Sequence, residues 1–116
     1  MRRIVLNSQP VVEPAEGVRC QAVSCAGRQF RLAEFASGFR EADWCRKAHM
    51  GYVLAGRMEI EFGDAREVFS TGDALMIAAG DKHRVRVIDG PVQLFLVEEA
   101  EPGAAAGPEE QSPARR

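Results

Sequence analysis

Both histidines and one of the three cysteines of this 116-residue chain fall in two short segments punctuated by glycine. The first segment contains Cys45 and His49, and the second ends at His83. A thiolate and two imidazoles form a ligand set that Zn²⁺ accepts, which leaves a fourth tetrahedral position for Asp43, water or a substrate. The soft sulfur also admits copper or ferrous iron and argues against magnesium or calcium. The spacing therefore indicates a candidate transition-metal site.

Strand geometry supports a shared site. Side chains alternate between the two faces of a β-strand, so Asp43, Cys45 and His49 have the same parity in a predicted strand. His83 shares its parity with the apolar Val85, so we expect its imidazole to point inward. All four side chains are therefore candidate ligands.

Two neighbours of these residues bear on the prediction. An unbroken strand would point Lys47 the same way as the ligands, and its charge would oppose a metal ion. Either a bulge turns Lys47 aside, or its ammonium pairs with an anionic ligand. Trp44 has the opposite parity, and we expect it to pack against the outer sheet or a partner subunit.

Structural roles are the alternative for the same residues. A buried histidine is more often a hydrogen-bonded core residue than a ligand, and an unpaired cysteine is often buried. Tyr52 and Phe62 are expected in the core or in a pocket wall. Glu98 and Glu99 are expected to form a solvated strand end, not a carboxylate pair for acid-base chemistry.

Composition and length indicate one domain with its own core. Fifteen basic and seventeen acidic residues give a net charge of −2 without a basic stripe, which argues against nucleic acid as a partner. No apolar run approaches the roughly 20 residues that span a bilayer, so we expect no membrane segment and a cytoplasmic location. Cys20 and Cys25 are expected to be free thiols in or beside the core.

The hydrophobic pattern predicts an all-β fold of short strands, which is typical of a sandwich or barrel. Alternation across residues 58–62, a turn at Gly63 and a return at Val68 predict a hairpin. Turns are predicted at 37–38, 79–81 and 89–91. Further strands are predicted at residues 29–35, 42–48, 51–54, 74–77, 83–88 and 92–98.

Three parts are expected along the chain. Residues 1–17 form an N-terminal arm that could lie as an edge strand, because its prolines are tolerated only where no ladder donor is needed. Residues 18–100 form the barrel. Residues 101–116 have almost no apolar side chain larger than alanine, so we expect a disordered tail.

The first segment resembles the first motif of small single-domain cupins, which form a jelly-roll β-barrel. In that motif two histidines separated by one residue precede a glutamate and a closing glycine. Here Gly56 stands at the closing position, and His49 stands in the place of the glutamate. Cys45 and Asp43 occupy the places of the two histidines.

The second segment resembles the second cupin motif. Gly72, Gly80 and His83 match it, Ala78 stands in the place of a proline, and Val87 in the place of the terminal asparagine. In this family the four inherited positions commonly hold iron, manganese, nickel, copper or zinc. Because only His83 keeps the usual residue type, the resemblance implies the fold, whereas the metal site must be argued from the donor chemistry.

The resemblance implies two classes of function. One is a metal-dependent enzyme acting on a small organic substrate, of the dioxygenase, isomerase or decarboxylase type. The other is a binding or sensing module with an empty pocket or an organic ligand. A third hypothesis is a redox-reactive thiol at Cys45. By resemblance to single-domain cupins we also expect a homodimer, in which the N-terminal arm could extend the partner's sheet.

Overall fold

The computed structural model describes residues 3–99, and the regular secondary structure of these residues is almost entirely β. A short 3-10 helix, Leu6–Ser8, precedes seven strands. The strands are β1 Val12–Ala15, β2 Val18–Cys25, β3 Arg28–Phe35, β4 His49–Phe62, β5 Arg66–Ser70, β6 Ala74–Ile77 and β7 His83–Glu99. The predicted all-β class is therefore confirmed. Within residues 3–99, no helix is long and apolar enough to cross a membrane.

All strand pairs are antiparallel, in the order β1-β2-β3-β7-β4-β5, and β6 pairs with the other edge of the first half of β4. The two long strands bend together, because residues 50–55 of β4 pair with 93–97 of β7 and residues 57–62 pair with 83–89. At the bend, Gly56 has a φ of +87°, a conformation that disfavours other residues. Because both long strands bend at the same place, the sheet curves around a single interior.

The interior is lined by alternate side chains of the long strands. Met58 and Ile60 of β4 face Val85 of β7, and all three are at least 93% buried. Burial of each such side chain stabilises the fold by roughly 1.5–3 kcal/mol. Arg84 and Arg86 alternate with the buried valines and bond to glutamates of β4 on the outer face. The predicted inward direction of His83 follows from the same alternation, and its side chain is buried.

Some predicted boundaries were wrong. The predicted strands at 51–54 and 58–62 are parts of β4, and those at 83–88 and 92–98 are parts of β7. The expected turn at residues 89–91 is strand, because β4 bends alongside it and pairing resumes on both sides. Strand β2 was not predicted. The predicted strand at 42–48 is absent from the described residues, for a reason given below.

The N-terminal arm behaves as predicted in one respect. Val12–Ala15 forms β1, which pairs with β2 and lies at one end of the strand order. Pro14 is thus tolerated in an edge strand. The predicted tail at 101–116 lies outside the described residues.

Candidate metal centre

A backbone pair places Cys45 beside His83. The Cys45 N–H donates to the His83 carbonyl at 2.8 Å, and the His83 N–H donates to the Cys45 carbonyl at 2.9 Å. Residues that exchange both bonds in an antiparallel ladder lie directly opposite each other, with side chains on the same face. The ladder therefore brings the thiol and the imidazole together.

The segment that carries Cys45 bulges away from β7. Four residues separate Arg40 from Cys45, whereas only two separate their partners Arg86 and His83. The extra residues interrupt the ladder, so the predicted strand at 42–48 does not form and its parity does not orient the side chain of Asp43. Asp43 lies in this bulge and is exposed.

His49 completes the cluster from the first position of β4. Its side chain is buried, and its Nε2 lies 3.5 Å from Cys45 Sγ. The His49 and His83 rings meet edge to face with centroids 5.0 Å apart. One potential ligand atom from each of Cys45, His49 and His83 lies within 4.8 Å of the other two. The structure thus brings together three predicted ligands and leaves Asp43 outside this group.

Each imidazole is held by a hydrogen bond from its Nδ1 atom. His83 Nδ1 donates to the Asp81 carbonyl at 2.9 Å, and His49 Nδ1 donates to a carboxylate oxygen of Glu98. Because a carbonyl can only accept, the His83 proton must be on Nδ1. Nε2 of each ring is then directed toward Cys45. Metal-binding histidines are commonly oriented by such a partner on the other nitrogen.

Glu98 is a candidate site residue that the sequence interpretation missed. Its side chain is 11% exposed, and Arg31, whose side chain is 2% exposed, donates to its two oxygens at 3.0 and 2.8 Å. The prediction of a solvated strand end is wrong for Glu98, although Glu99 is 84% exposed. The signal was parity, since Glu98 follows the buried Leu94 and Leu96 at two-residue spacing.

Electrostatics favour charged forms throughout this cluster. Burial pushes the pKa of the Cys45 thiol upward, but hydrogen bonds from His49, His83 and the Lys47 N–H outweigh it and lower the pKa to about 5. Burial likewise opposes ionisation of Glu98, but the bond from His49 and the charge of Arg31 lower its pKa to about 2. At neutral pH the cluster therefore presents a thiolate and a carboxylate.

The imidazoles respond to these anions. Burial lowers the pKa of His49, but its bonds to Cys45 and Glu98 outweigh burial and raise it. Burial also lowers the pKa of His83, and bonds to Cys45 and the Asp81 carbonyl raise it. A metal ion would bind the Nε2 lone pairs that these protons use, so protons and metal compete for the site.

Two members of the cluster, His49 and His83, line a cavity of about 430 Å³ within the barrel. Both histidines and Arg31 line it, together with apolar side chains from β3, β4, β6 and β7. Exposed wall residues come from β1 and from the bulged segment, including Ala15 and Asp43, so the opening lies on that side.

Trp44 and Lys47 lie beside the cluster. Trp44 is contacted by two cations, with Lys82 Nζ 4.7 Å and Arg84 Cζ 4.3 Å from its ring centroid. Lys47 lines an outer groove that is also lined by His49 and Glu98. Tyr52 was expected in the core or in a pocket wall. It is 45% exposed on the outer face and does not lie in the core, because it alternates with the buried Val53. Phe62 is partly buried against the core, as expected.

The donor set fits a transition metal ion. One thiolate and two neutral imidazoles match zinc sites that keep an open fourth position, and ferrous iron and copper accept the same atoms. Glu98 and the Asp81 carbonyl would hold His49 and His83 in the tautomer that coordination needs. The fit rests on side chains of three separate segments that the fold brings together.

Comparison with known proteins agrees with this architecture. The sequence profile of the Cupin domain family matches residues 45–98. The structure is similar to that of KdgF from Halomonas sp., with a TM-score of 0.71 and 15% identity over 85% of this chain and 95% of that chain. A Rhizobium leguminosarum structural-genomics protein of unknown function gives a TM-score of 0.72 and 14% identity, over 87% and 98% of the two chains.

A further similar structure is the FeII form of HppE, with a TM-score of 0.69 and 11% identity over 83% of this chain and 59% of that chain. At these identities the likeness shows the fold alone. No curated protein matches this chain. The family resemblance and the jelly-roll prediction are confirmed.

Proposed function

We propose that this chain, which belongs to the cupin family, binds a divalent transition metal through Cys45, His49 and His83 and presents it to a small organic ligand. The observation that carries the proposal is the convergence of these three donors within 4.8 Å, with His49 and His83 at the wall of a cavity. Zinc is the first candidate ion, and iron, copper or nickel are alternatives. Asp43, the fourth ligand expected from the sequence, lies outside this group, and the proposal leaves the fourth position to water or the organic ligand.

The surrounding residues support an open coordination position. Three protein ligands with a fourth place for water or substrate are typical of catalytic zinc sites, whereas four protein ligands are typical of structural sites. The ion would supply Lewis acidity toward an oxygen of the ligand. Glu98 and Asp81 hold the imidazoles, and the apolar cavity wall keeps bulk water away from the ligand.

Two kinds of activity follow from such a site. A metal-dependent enzyme of the dioxygenase, isomerase or decarboxylase type would use the ion on a substrate. A binding or sensing module would hold the ligand without turnover. This second candidate is favoured because Arg31 and Glu41, two charged side chains of the cavity wall, already bond to other groups of the protein. Arg31 bonds to Glu98, and Glu41 accepts from the Val85 N–H at 2.9 Å, so these cavity-wall charges already have protein partners.

Cobalt(II) substitution tests the proposal. A thiolate ligand gives a sulfur-to-cobalt charge-transfer band, and a four-coordinate ion gives strong visible absorption, so both should appear at one equivalent of cobalt. The bands should fade as the pH falls through the raised pKa values of His49 and His83, since protonated imidazoles cannot coordinate. Absence of the charge-transfer band from folded protein would contradict the proposal.

A further inference from the structure

We infer that the ligand of this cavity is a small oxygen monoanion with a hydrocarbon body, such as a monocarboxylate, and not a polyhydroxylated compound. This inference deepens the proposed function and rests on it, since the metal ion anchors the anionic end. Three observations support it. The deep wall of the cavity is apolar, the buried polar groups beside that wall bond to other groups of the protein, and the site with a divalent ion would carry one positive charge.

The deep wall of the cavity is hydrocarbon. Six apolar side chains of β4, β6 and β7 form its inner surface, and each of them is at most 5% exposed. A ligand body that contacts them gains affinity in proportion to the apolar area it removes from water. The residues are Met58, Ile60, Leu75, Ile77, Leu94 and Leu96.

The buried or partly buried polar groups beside the deep wall have partners within the protein, whereas Arg40 and Asp43 line the cavity at exposed positions. Both carboxylate oxygens of Glu98 accept from Arg31, and Glu41 accepts from a backbone N–H of β7. The Nδ1 atoms of His49 and His83 donate to Glu98 and to a backbone carbonyl. Hydroxyl groups of a ligand that reach the deep part of the cavity would therefore leave water without gaining equivalent hydrogen bonds. Each hydroxyl buried in this way lowers affinity by about tenfold.

The charge of the site favours one negative donor. A divalent ion with the Cys45 thiolate and two neutral imidazoles carries a net charge of +1. The neighbouring Glu98 and Arg31 form an ion pair at 2.8 Å that adds no net charge. One anionic oxygen on the ion neutralises the cluster, whereas a second negative charge would be buried without a partner.

The size of the cavity limits the body of the ligand. About 430 Å³ lies in the lower part of the range for small-molecule pockets, roughly 300–1,000 Å³. The opening between β1 and the bulged segment gives access for a chain or a single ring. A linear six-carbon monoanion is therefore a suitable probe.

Hexanoate and gluconate test the inference as a matched pair. Both have six carbons and one carboxylate, but gluconate carries five hydroxyl groups. Each is titrated into the cobalt(II)-loaded full chain, and the change in visible absorption reports binding at the fourth position. We expect hexanoate to bind at least about 100-fold more tightly than gluconate.

A chain-length series and a blocked cavity supply the controls. From acetate to butyrate to hexanoate, affinity should rise about fourfold for each added methylene. Ala33→Leu, which extends a side chain from the cavity wall, should weaken hexanoate at least tenfold and leave acetate unchanged. Ala36→Leu, at an exposed position, should change neither.

The outcomes separate the two proposals. If cobalt binds with its thiolate band but gluconate binds as tightly as hexanoate, or affinity does not rise with chain length, this inference is overturned and the metal site stands. If folded protein gives no thiolate band, the metal site and this inference both fail.

Discussion

At the scale of residues, the candidate site is a line of alternating charges. Arg31 bonds to Glu98, Glu98 bonds to His49, and His49 lies against the Cys45 thiol. Every member of this line is at least partly buried, so each charge depends on its neighbour. The usual cupin motif has a glutamate where this chain has His49, and the carboxylate of Glu98 lies behind the imidazole of His49. In the proposed metal site Glu98 would orient a ligand instead of supplying one.

We predict that Glu98→Gln lowers zinc affinity by about 10–100-fold, the usual effect of losing a carboxylate behind a metal-binding histidine. A neutral amide cannot strengthen the basicity of His49, and it leaves Arg31 without its charged partner. Competition with a chelator measures the affinity. Glu99→Gln, at an exposed neighbour of the same type, is the control and should have no effect. Equal affinities for wild type and Glu98→Gln would show that the carboxylate is not required.

At the scale of elements, the ladder between the bulged segment and β7 sets the geometry of the site. The sequence correctly predicted the strand that carries His83, because alternation of Val85 and Val87 with arginines is a local pattern. His49 fell between the predicted strands at 42–48 and 51–54, and in the structure it begins β4. It could not predict the register that places Cys45 opposite His83, since pairing across 38 positions depends on tertiary packing. The bulge at Asp43 follows from that register. Local spacing alone therefore oriented His83 correctly, whereas the orientation it predicted for Asp43 assumed a strand at 42–48 that does not form.

The long bent strands β4 and β7 show the same difference between what local sequence predicts and what depends on strand pairing. Gly56 was recognised as a motif residue, but the continuity of β4 and β7 through the bend was missed. Glycine and proline near a bend look like turn signals in sequence, and only the paired partner shows that the strand continues. The polar residues of β3 and β7 that face inward, Arg31 and Glu98, were missed because each is explained only by the other.

We predict that Gly56→Ala destabilises the protein by about 2–3 kcal/mol. Its φ is +87°, and an added Cβ would lie 2.5 Å from the Pro91 carbonyl oxygen, so strain and a backbone clash combine. Gly27→Ala is the matched control, because its φ is +77° but an added Cβ meets nothing within 4 Å. It should cost only about 1 kcal/mol. Urea unfolding of metal-free protein measures both, and equal losses would show that the clash at the bend is relieved at no cost.

At the scale of the whole molecule, one outer face is strongly apolar. Met50, Tyr52 and Leu54 of β4 are 42–47% exposed, and Met76 of the adjacent β6 is 77% exposed. Such a face fits the composition of protein interfaces, where methionine and aromatic residues are enriched. It lies on the opposite side of the sheet from the cavity, so a partner there would leave the cavity opening accessible.

We predict that the chain forms a homodimer through this face. Light scattering at micromolar concentration should give the mass of two chains, and Met76→Asp should give one, because a buried unpaired carboxylate opposes association. Val68→Asp changes an equally apolar exposed side chain on β5 and should leave the dimer intact. A monomeric mass for the wild-type chain would contradict the prediction.

The central claim is that Cys45, His49 and His83 hold one metal ion, and the most direct measurement is zinc affinity across a set of single substitutions. The account predicts one zinc per chain for wild type and a loss of at least 100-fold in affinity for Cys45→Ser, His49→Ala and His83→Ala, each shown to be folded. Cys20→Ser and Cys25→Ser remove the two thiols outside the cluster and should bind zinc like wild type. Unchanged affinity in any of the first three variants, or a loss that follows Cys20 or Cys25 instead, would contradict the account.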